Sequence, residues 1–205
     1  AARDHLIKAN TRLVIVNHAS NVIGTIQPLE AVGRICRERG VTFAIDASQS
    51  AGKVPIDMEQ HHIDIIAFTG HKSLLGPTGT GGLYVRDGVE IRHTRAGGTG
   101  VRSAERMHLD EYPYRLEYGT GNVVGIAGMY AGLKWIEEKG MDTIHKQEMR
   151  LTRILRDGLN ELDGVVLYCQ NELTDHIAVI SFNVDGMEAL NVGTLLDGEY
   201  DIACR

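Results

Sequence analysis

The sequence contains no apolar run approaching the ~18–20 residues that a membrane-crossing helix needs, which excludes a helical membrane protein. Its start, Ala1-Ala2-Arg3-Asp4-His5, lacks the apolar stretch of a secretory leader, and a cytoplasmic protein is expected. Cysteine is scarce. Cys36, Cys169 and Cys204 are odd in number and fall in no metal-ligand spacing, so neither a disulfide framework nor a metal site is implied. Runs of Lys or Arg are also absent, and 21 basic residues stand against 27 acidic ones for a net charge of −6. That balance argues against nucleic acid and anionic membranes as main partners, and leaves a small molecule as the expected ligand.

What is present is the composition of a globular protein: 205 residues, 43% hydrophobic and 23% charged, enough for a sizeable core. Residues 13–16 form a short β-branched run without alternation, which predicts a strand buried on both faces of a parallel sheet. Leu29, Val32, Ile35 and Cys36 then recur at helical spacing, with Gly40 at the expected C-terminal stop. Residues 41–46 and 63–68 read as two further buried strands, giving the strand-helix-strand unit of an α/β fold. A strand at 83–85 follows a glycine-rich segment too short for a crossover helix, so the sheet is expected to be mixed. Residues 86–121 read as a long functional loop. Helical stripes from Asn122 to Gly140 and from Ile144 to Gly164 come next, then strands at 165–168 and 177–182 and a helix at 187–196. The change of pattern places a domain boundary near residue 140, with domains at 1–139 and 140–205.

The segment Thr69-Gly70-His71-Lys72-Ser73 sets a lysine just past a buried strand, beside a hydroxyl and an imidazole. A desolvated lysine is a nucleophile for carbonyls, which makes Lys72 a Schiff-base candidate; the alternative is a solvated loop lysine. Asp46 ends an apolar strand, where open α/β sheets bind their ligands, and there it could hold a pyridinium nitrogen protonated. Gln49, three residues on, could bond a phenolic oxygen of the same ring. A turn or helix-cap role is the alternative for Asp46, as it is for Asn21 and Asn122, and His18 is equally readable as a satisfied loop histidine. Gly97-Gly98-Thr99-Gly100 could cradle a phosphate, although its spacing is no P-loop.

Four ordered stretches sharpen the picture. Asn17-His18-Ala19-Ser20-Asn21-Val22, Asp46-Ala47-Ser48-Gln49-Ser50-Ala51-Gly52, Thr69-Gly70-His71-Lys72 with Gly76-Pro77-Thr78-Gly79-Thr80-Gly81, and Glu117-Tyr118-Gly119-Thr120-Gly121-Asn122 together resemble the class V aminotransferases. The resemblance is strongest to their cysteine desulfurase and selenocysteine lyase branch, and it covers nearly the whole chain. It implies a fold-type-I transferase that uses pyridoxal 5'-phosphate: an α/β fold with a mixed, mostly parallel sheet flanked by helices, followed by the start of a smaller α+β domain. Lys72 would hold the cofactor as a Schiff base, and Asp46 would pair with its ring nitrogen. Gln49 would contact the ring hydroxyl, Thr69 and His71 the phosphate, and Asn21 would lie near the substrate carboxylate. Thr120 would reach the phosphate of the partner subunit's cofactor, which implies a homodimer with shared active sites. The implied reaction converts L-cysteine to L-alanine, the sulfur passing to an enzyme cysteine as a persulfide and onward to a sulfur-acceptor protein. Selenocysteine lyase, an aminotransferase or a catalytically incomplete protein of the same fold are the alternatives.

The chain departs from the family at both ends. Members are longer, and the residue that stacks on the cofactor, the loop with the nucleophilic cysteine and the carboxylate-binding arginine have no counterpart here. An internal fragment is expected, binding the cofactor weakly and lacking desulfurase activity alone. Cys204 precedes Arg205, whereas the family's cysteine follows its equivalent arginine, so Cys204 is not taken as the nucleophile. Cys36 and Cys169 read as small hydrophobes of the core.

Overall fold

A computed structural model describes residues 6–98, 100–102, 104–169 and 172–204. It contains β1 (Leu13–Asn17), α1 (Leu29–Arg39), β2 (Thr42–Asp46), β3 (Ile65–Thr69), β4 (Gly81–Val85), α2 (Val123–Lys139), α3 (Met141–Asn160), β5 (Val165–Leu167), β6 (Phe182–Val184) and α4 (Ala189–Tyr200). No helix among the described residues is long and apolar enough to cross a membrane.

Strands β1 to β4 form one sheet in that order. The first three are parallel, and β4 turns back antiparallel to β3, as the missing crossover helix predicts. Helix α1 packs its apolar stripe on the sheet and stops at Gly40, whose φ of +63° lets its N–H reach the carbonyls of Arg37 and Cys36. Leu29 and Cys36 of α1 join Phe43, Ile45, Ala47 and Ile63 in the core, with Val14, Val16, Ile66 and Phe68 at its margin. Burying a side chain such as Phe43 contributes roughly 2–3 kcal/mol, so this cluster fixes the register of the strands above it.

Strand β1 corrects one expectation. Its residues alternate in exposure, with Leu13 at 44% and Ile15 at 66%, because among the described residues it is the edge strand and only one of its faces meets α1. A second correction concerns the strand expected at 177–182, which lies at Phe182–Val184 instead. Residues 176 and 177 pair elsewhere: Thr25 and His176 form an isolated bridge, and the Ile177 N–H donates to the Gly24 carbonyl (2.8 Å). The apolar run thus packs on the loop after β1, leaving three residues for pairing with β5.

Among the described residues, the long segment after β4 carries one short 3-10 turn, Tyr114–Leu116, before α2. Asn122 caps α2 by accepting the Gly125 N–H (3.0 Å). The chain breaks at Gly140 into α3, which packs on both α2 and β5. Helix α4 runs to Tyr200, four residues past its expected end.

Candidate functional site

Because β1, β2 and β3 are parallel, the loops that leave their C-terminal ends emerge along one edge of the sheet. Asn17 lies opposite Asp46, and Asp46 opposite Ala67, so the three exits are in step. Asn21, Asp46, Gln49, Thr69, His71 and Lys72 all belong to these exits. Open α/β sheets bind ligands in this place.

Asp46 is half-buried, and its Oδ1 accepts the N–H of Ser48 (2.8 Å), which folds the chain straight into a turn. The Ala47 N–H donates to the Ala67 carbonyl (2.8 Å), hanging that turn from β3. The Ala47 carbonyl in turn accepts from the N–H groups of Ser50 (3.0 Å) and Ala51 (2.8 Å). Gln49 sits in the same turn, half-buried. Beyond it, Gly52 takes a φ of +83°, and a Cβ there would stand 2.8 Å from the Ser73 carbonyl oxygen. The turn carrying Asp46 therefore packs directly on the loop carrying Lys72.

That second loop starts at Thr69, whose Oγ1 lies 3.0 Å from His71 Nδ1. Hydrogen bonds from Gly70 N–H to Thr80 O (2.8 Å), Leu75 N–H to Lys72 O (2.9 Å) and Gly76 N–H to Gly70 O (2.8 Å) close it on itself. Helix α2 supports it from behind: a Cβ on Gly132 would lie 2.5 Å from the Leu74 carbonyl oxygen. Lys72 is exposed, and its side chain makes no ion pair or hydrogen bond among the described residues. This corrects the desolvation expected of it: among the described residues the side chain stands where the alternative reading, a solvated loop lysine, places it.

The two remaining candidates are both exposed. Asn21 is exposed on a turn whose shape is set by Ser20 Oγ, which accepts the N–H groups of Val22 (3.2 Å) and Ile23 (3.1 Å). Thr120 is exposed and makes no side-chain hydrogen bond among the described residues, but it stands two residues before Asn122, whose Nδ2 donates to Gly79 O (3.3 Å). The glycine stretch at 97–100 includes Thr99, which lies outside the described residues; the Gly98 carbonyl accepts the Gly119 N–H (2.5 Å).

A crevice of about 1120 Å³ opens beside α4 and β6 and reaches the Asn21 turn through Val22 and Ile23, without touching the Lys72 loop. Cys204 lines it and is exposed, whereas Cys36 is buried in the core as expected and Cys169 is half-buried. No group of three or more His, Cys, Asp or Glu among the described residues could hold a metal ion.

Sequence reasoning missed one pair. His18 Nδ1 lies 2.8 Å from Ser50 Oγ, and both side chains are buried, His18 at 3% exposure and Ser50 at 0%. Burial pushes the His18 imidazole down to about 4, and the charge of His61 adds to the effect. No spacing signal marks the pair, since its members are 32 residues apart and meet only through the parallel register of β1 and β2.

The donor set suits a phosphorylated pyridine aldehyde. An amine with no partner among the described residues, a carboxylate whose Oδ1 is engaged by its own turn, and a hydroxyl beside an imidazole stand on neighbouring exits of one sheet edge.

The class-V aminotransferase family model matches residues 1–205. A probable cysteine desulfurase from Pyrococcus abyssi is 38% identical over 198 residues, which are 95% of this chain and 49% of that protein. The apo structure of a cysteine desulfurase from Thermococcus onnurineus superposes with a TM-score of 0.81 at 38% identity, over 95% of this chain and 49% of that one. The cysteine desulfurase CsdA from Escherichia coli superposes with a TM-score of 0.84 at 27% identity, over 98% of this chain and 50% of that one. The chain spans about half the length of the curated relatives it matches.

Proposed function

The chain belongs to the class-V aminotransferase family, whose members are pyridoxal-phosphate enzymes, and we propose that it carries the cofactor site of a cysteine desulfurase. The observation that carries this reading is the packing of the Asp46 turn on the Lys72 loop at one strand edge, where Gly52 meets Ser73. Relatives called cysteine desulfurase at 31–38% identity support the choice of reaction.

In this reading Thr69 Oγ1 and His71 would hold the phosphate, and the Asp46 carboxylate would accept a hydrogen bond from the protonated ring nitrogen and keep it charged. Gln49 bonds the ring hydroxyl. When bound, pyridoxal phosphate supplies an electron sink for the bond broken at the substrate's α-carbon. Lys72 Nζ would be its attachment point and the base that moves the proton at the substrate's α-carbon. Asn21 faces the substrate carboxylate. L-Cysteine leaves as L-alanine, its sulfur having passed to a protein thiol and from there to an acceptor protein. Thr120 would reach the phosphate of the partner subunit's cofactor, and the working unit would be a homodimer in the cytoplasm. Residues 1–139 form the cofactor-binding domain, and 140–205 begin a second one.

The test is to supply the protein containing this chain with pyridoxal phosphate, a thiol reductant and L-cysteine. Equal amounts of alanine and sulfide, both lost in Lys72→Ala, are expected. Production of 3-mercaptopyruvate once an acceptor keto acid is added, or of pyruvate and ammonia in place of alanine, would identify a transaminase or an eliminating lyase and overturn the reading.

A further inference from the structure

We infer that His18 is a positioning residue of this site: its imidazole, bonded to Ser50, fixes the turn that presents Asp46 and Gln49. The inference rests on the cofactor reading for what the turn presents, and on geometry alone for how the turn is held.

His18 is the first residue after β1 and is anchored at both ends of its peptide unit. Its N–H donates to the Asp46 carbonyl (3.0 Å), and its carbonyl accepts the Gln27 N–H (2.8 Å). The ring is then projected into the protein, where Nδ1 meets Ser50 Oγ at 2.8 Å. Ser50 stands one residue after Gln49 and four after Asp46. Its carbonyl accepts the N–H groups of Lys53 and Val54 (both 2.9 Å), so it is the pivot on which the turn reverses. The hydrogen bonds inside the turn connect positions two to four residues apart. They define its shape but not its place relative to the sheet. That place is set from β3 by the Ala47 N–H on the Ala67 carbonyl (2.8 Å), from β1 by the His18 side chain, and from α3 by a Lys53–Glu148 ion pair (3.0 Å); of these the His18 bond is the one that grips the turn at Ser50.

An apolar residue would fill the same space without the desolvation cost of a buried imidazole, so filling volume does not account for histidine there. A buried, satisfied polar pair selects one arrangement of the groups around it, which is what a carboxylate aimed at one ring atom requires. His18 touches neither reacting atoms nor cofactor in this account; it acts through Ser50.

The experiment compares wild type with Ser50→Ala, His18→Phe and His18→Asn, the last keeping a polar group near the Nδ1 position. Amide hydrogen exchange is read without cofactor, and pyridoxal phosphate is then titrated by its visible absorbance. In Ser50→Ala and His18→Phe, faster exchange confined to Ser48, Ser50 and Ala51 and about tenfold weaker cofactor uptake are expected, with His18→Asn recovering part of both. Unchanged exchange at these amides, or protection lost equally across β1 to β3 in Ser50→Ala, overturns the inference. The titration uses the protein containing this chain; if its wild type takes up no pyridoxal phosphate the cofactor reading is overturned instead, and the exchange pattern still decides whether His18 holds the turn.

Discussion

Gly52 and Ser73 approach so closely that a Cβ on the glycine would stand 2.8 Å from the serine carbonyl oxygen. This contact holds the Asp46 turn against the Lys72 loop, and it has two requirements: a residue without a side chain, and one that tolerates a φ of +83°. Gly52→Ala violates both. It should destabilise the fold by about 1–3 kcal/mol in urea unfolding and weaken cofactor uptake, because relief of the clash pushes the two loops apart. Unchanged stability together with unchanged uptake would show that the loops are held by other contacts.

Asp46→Asn keeps the size of the side chain, and its oxygen can still accept the Ser48 N–H, so the turn should survive. What is lost is the charge that, in the proposed reading, would face the ring nitrogen. In the protein containing this chain, cofactor binding should persist while turnover falls by about two orders of magnitude or more, each ~1.4 kcal/mol of lost transition-state stabilisation being tenfold in rate. Near-normal turnover would return Asp46 to the status of a turn residue.

His18 makes stability depend on pH in a defined window. Its folded-state value is pushed down to about 4 by burial and by His61, against 6.5 for an ordinary histidine. Between these values the unfolded chain binds more protons than the folded one, so stability rises with pH. The contribution is complete above 6.5 and is lost as pH falls toward 4, by up to roughly 3 kcal/mol. Urea midpoints measured at about pH 5 and about pH 7 should differ less in His18→Phe than in wild type. Equal differences in the two proteins would place the dependence on other groups.

Asn122 does two jobs with one side chain: Oδ1 caps α2, and Nδ2 ties that helix end to Gly79 of the loop after Lys72. Asn122→Ala should therefore cost about 1–2 kcal/mol, the loss of a cap plus a hydrogen bond. Asn122→Asp keeps the cap acceptor and should recover most of it. Thermal unfolding of the two variants separates these contributions, and an alanine variant as stable as wild type would deny the cap any role.

How much of this was legible in the sequence depends on the range of the interactions involved. Strands β2 and β3 announce themselves because their residues are apolar and β-branched, and α1 because its stripe ends at Gly40. The reversal into β4 follows from the shortness of the connection. The run at 177–182 misled because local apolarity says nothing about partners: Ile177 is buried, but against the loop at Gly24 rather than in a ladder. The double-sided burial expected of β1 failed for the same reason, since the exposure of Ile15 depends on its place in the sheet order. In the site, Asp46 and Lys72 could be singled out by residue type and strand ends. The contacts that position them, Gly52 on Ser73 and His18 on Ser50, join residues 21 and 32 positions apart and become visible only with the register.

The central claim is that Lys72 is the amine to which pyridoxal phosphate attaches, and trapping that bond tests it most directly. The protein is incubated with pyridoxal phosphate, reduced with borohydride, digested and mapped by mass spectrometry, alongside Lys72→Ala. A pyridoxyl adduct on the peptide containing Lys72, absent from the variant together with the visible absorbance, is the predicted result, since no neighbouring group can replace the amine in a covalent bond. A stoichiometric adduct on another lysine, or a Lys72→Ala variant that is trapped as well as wild type, would contradict the account.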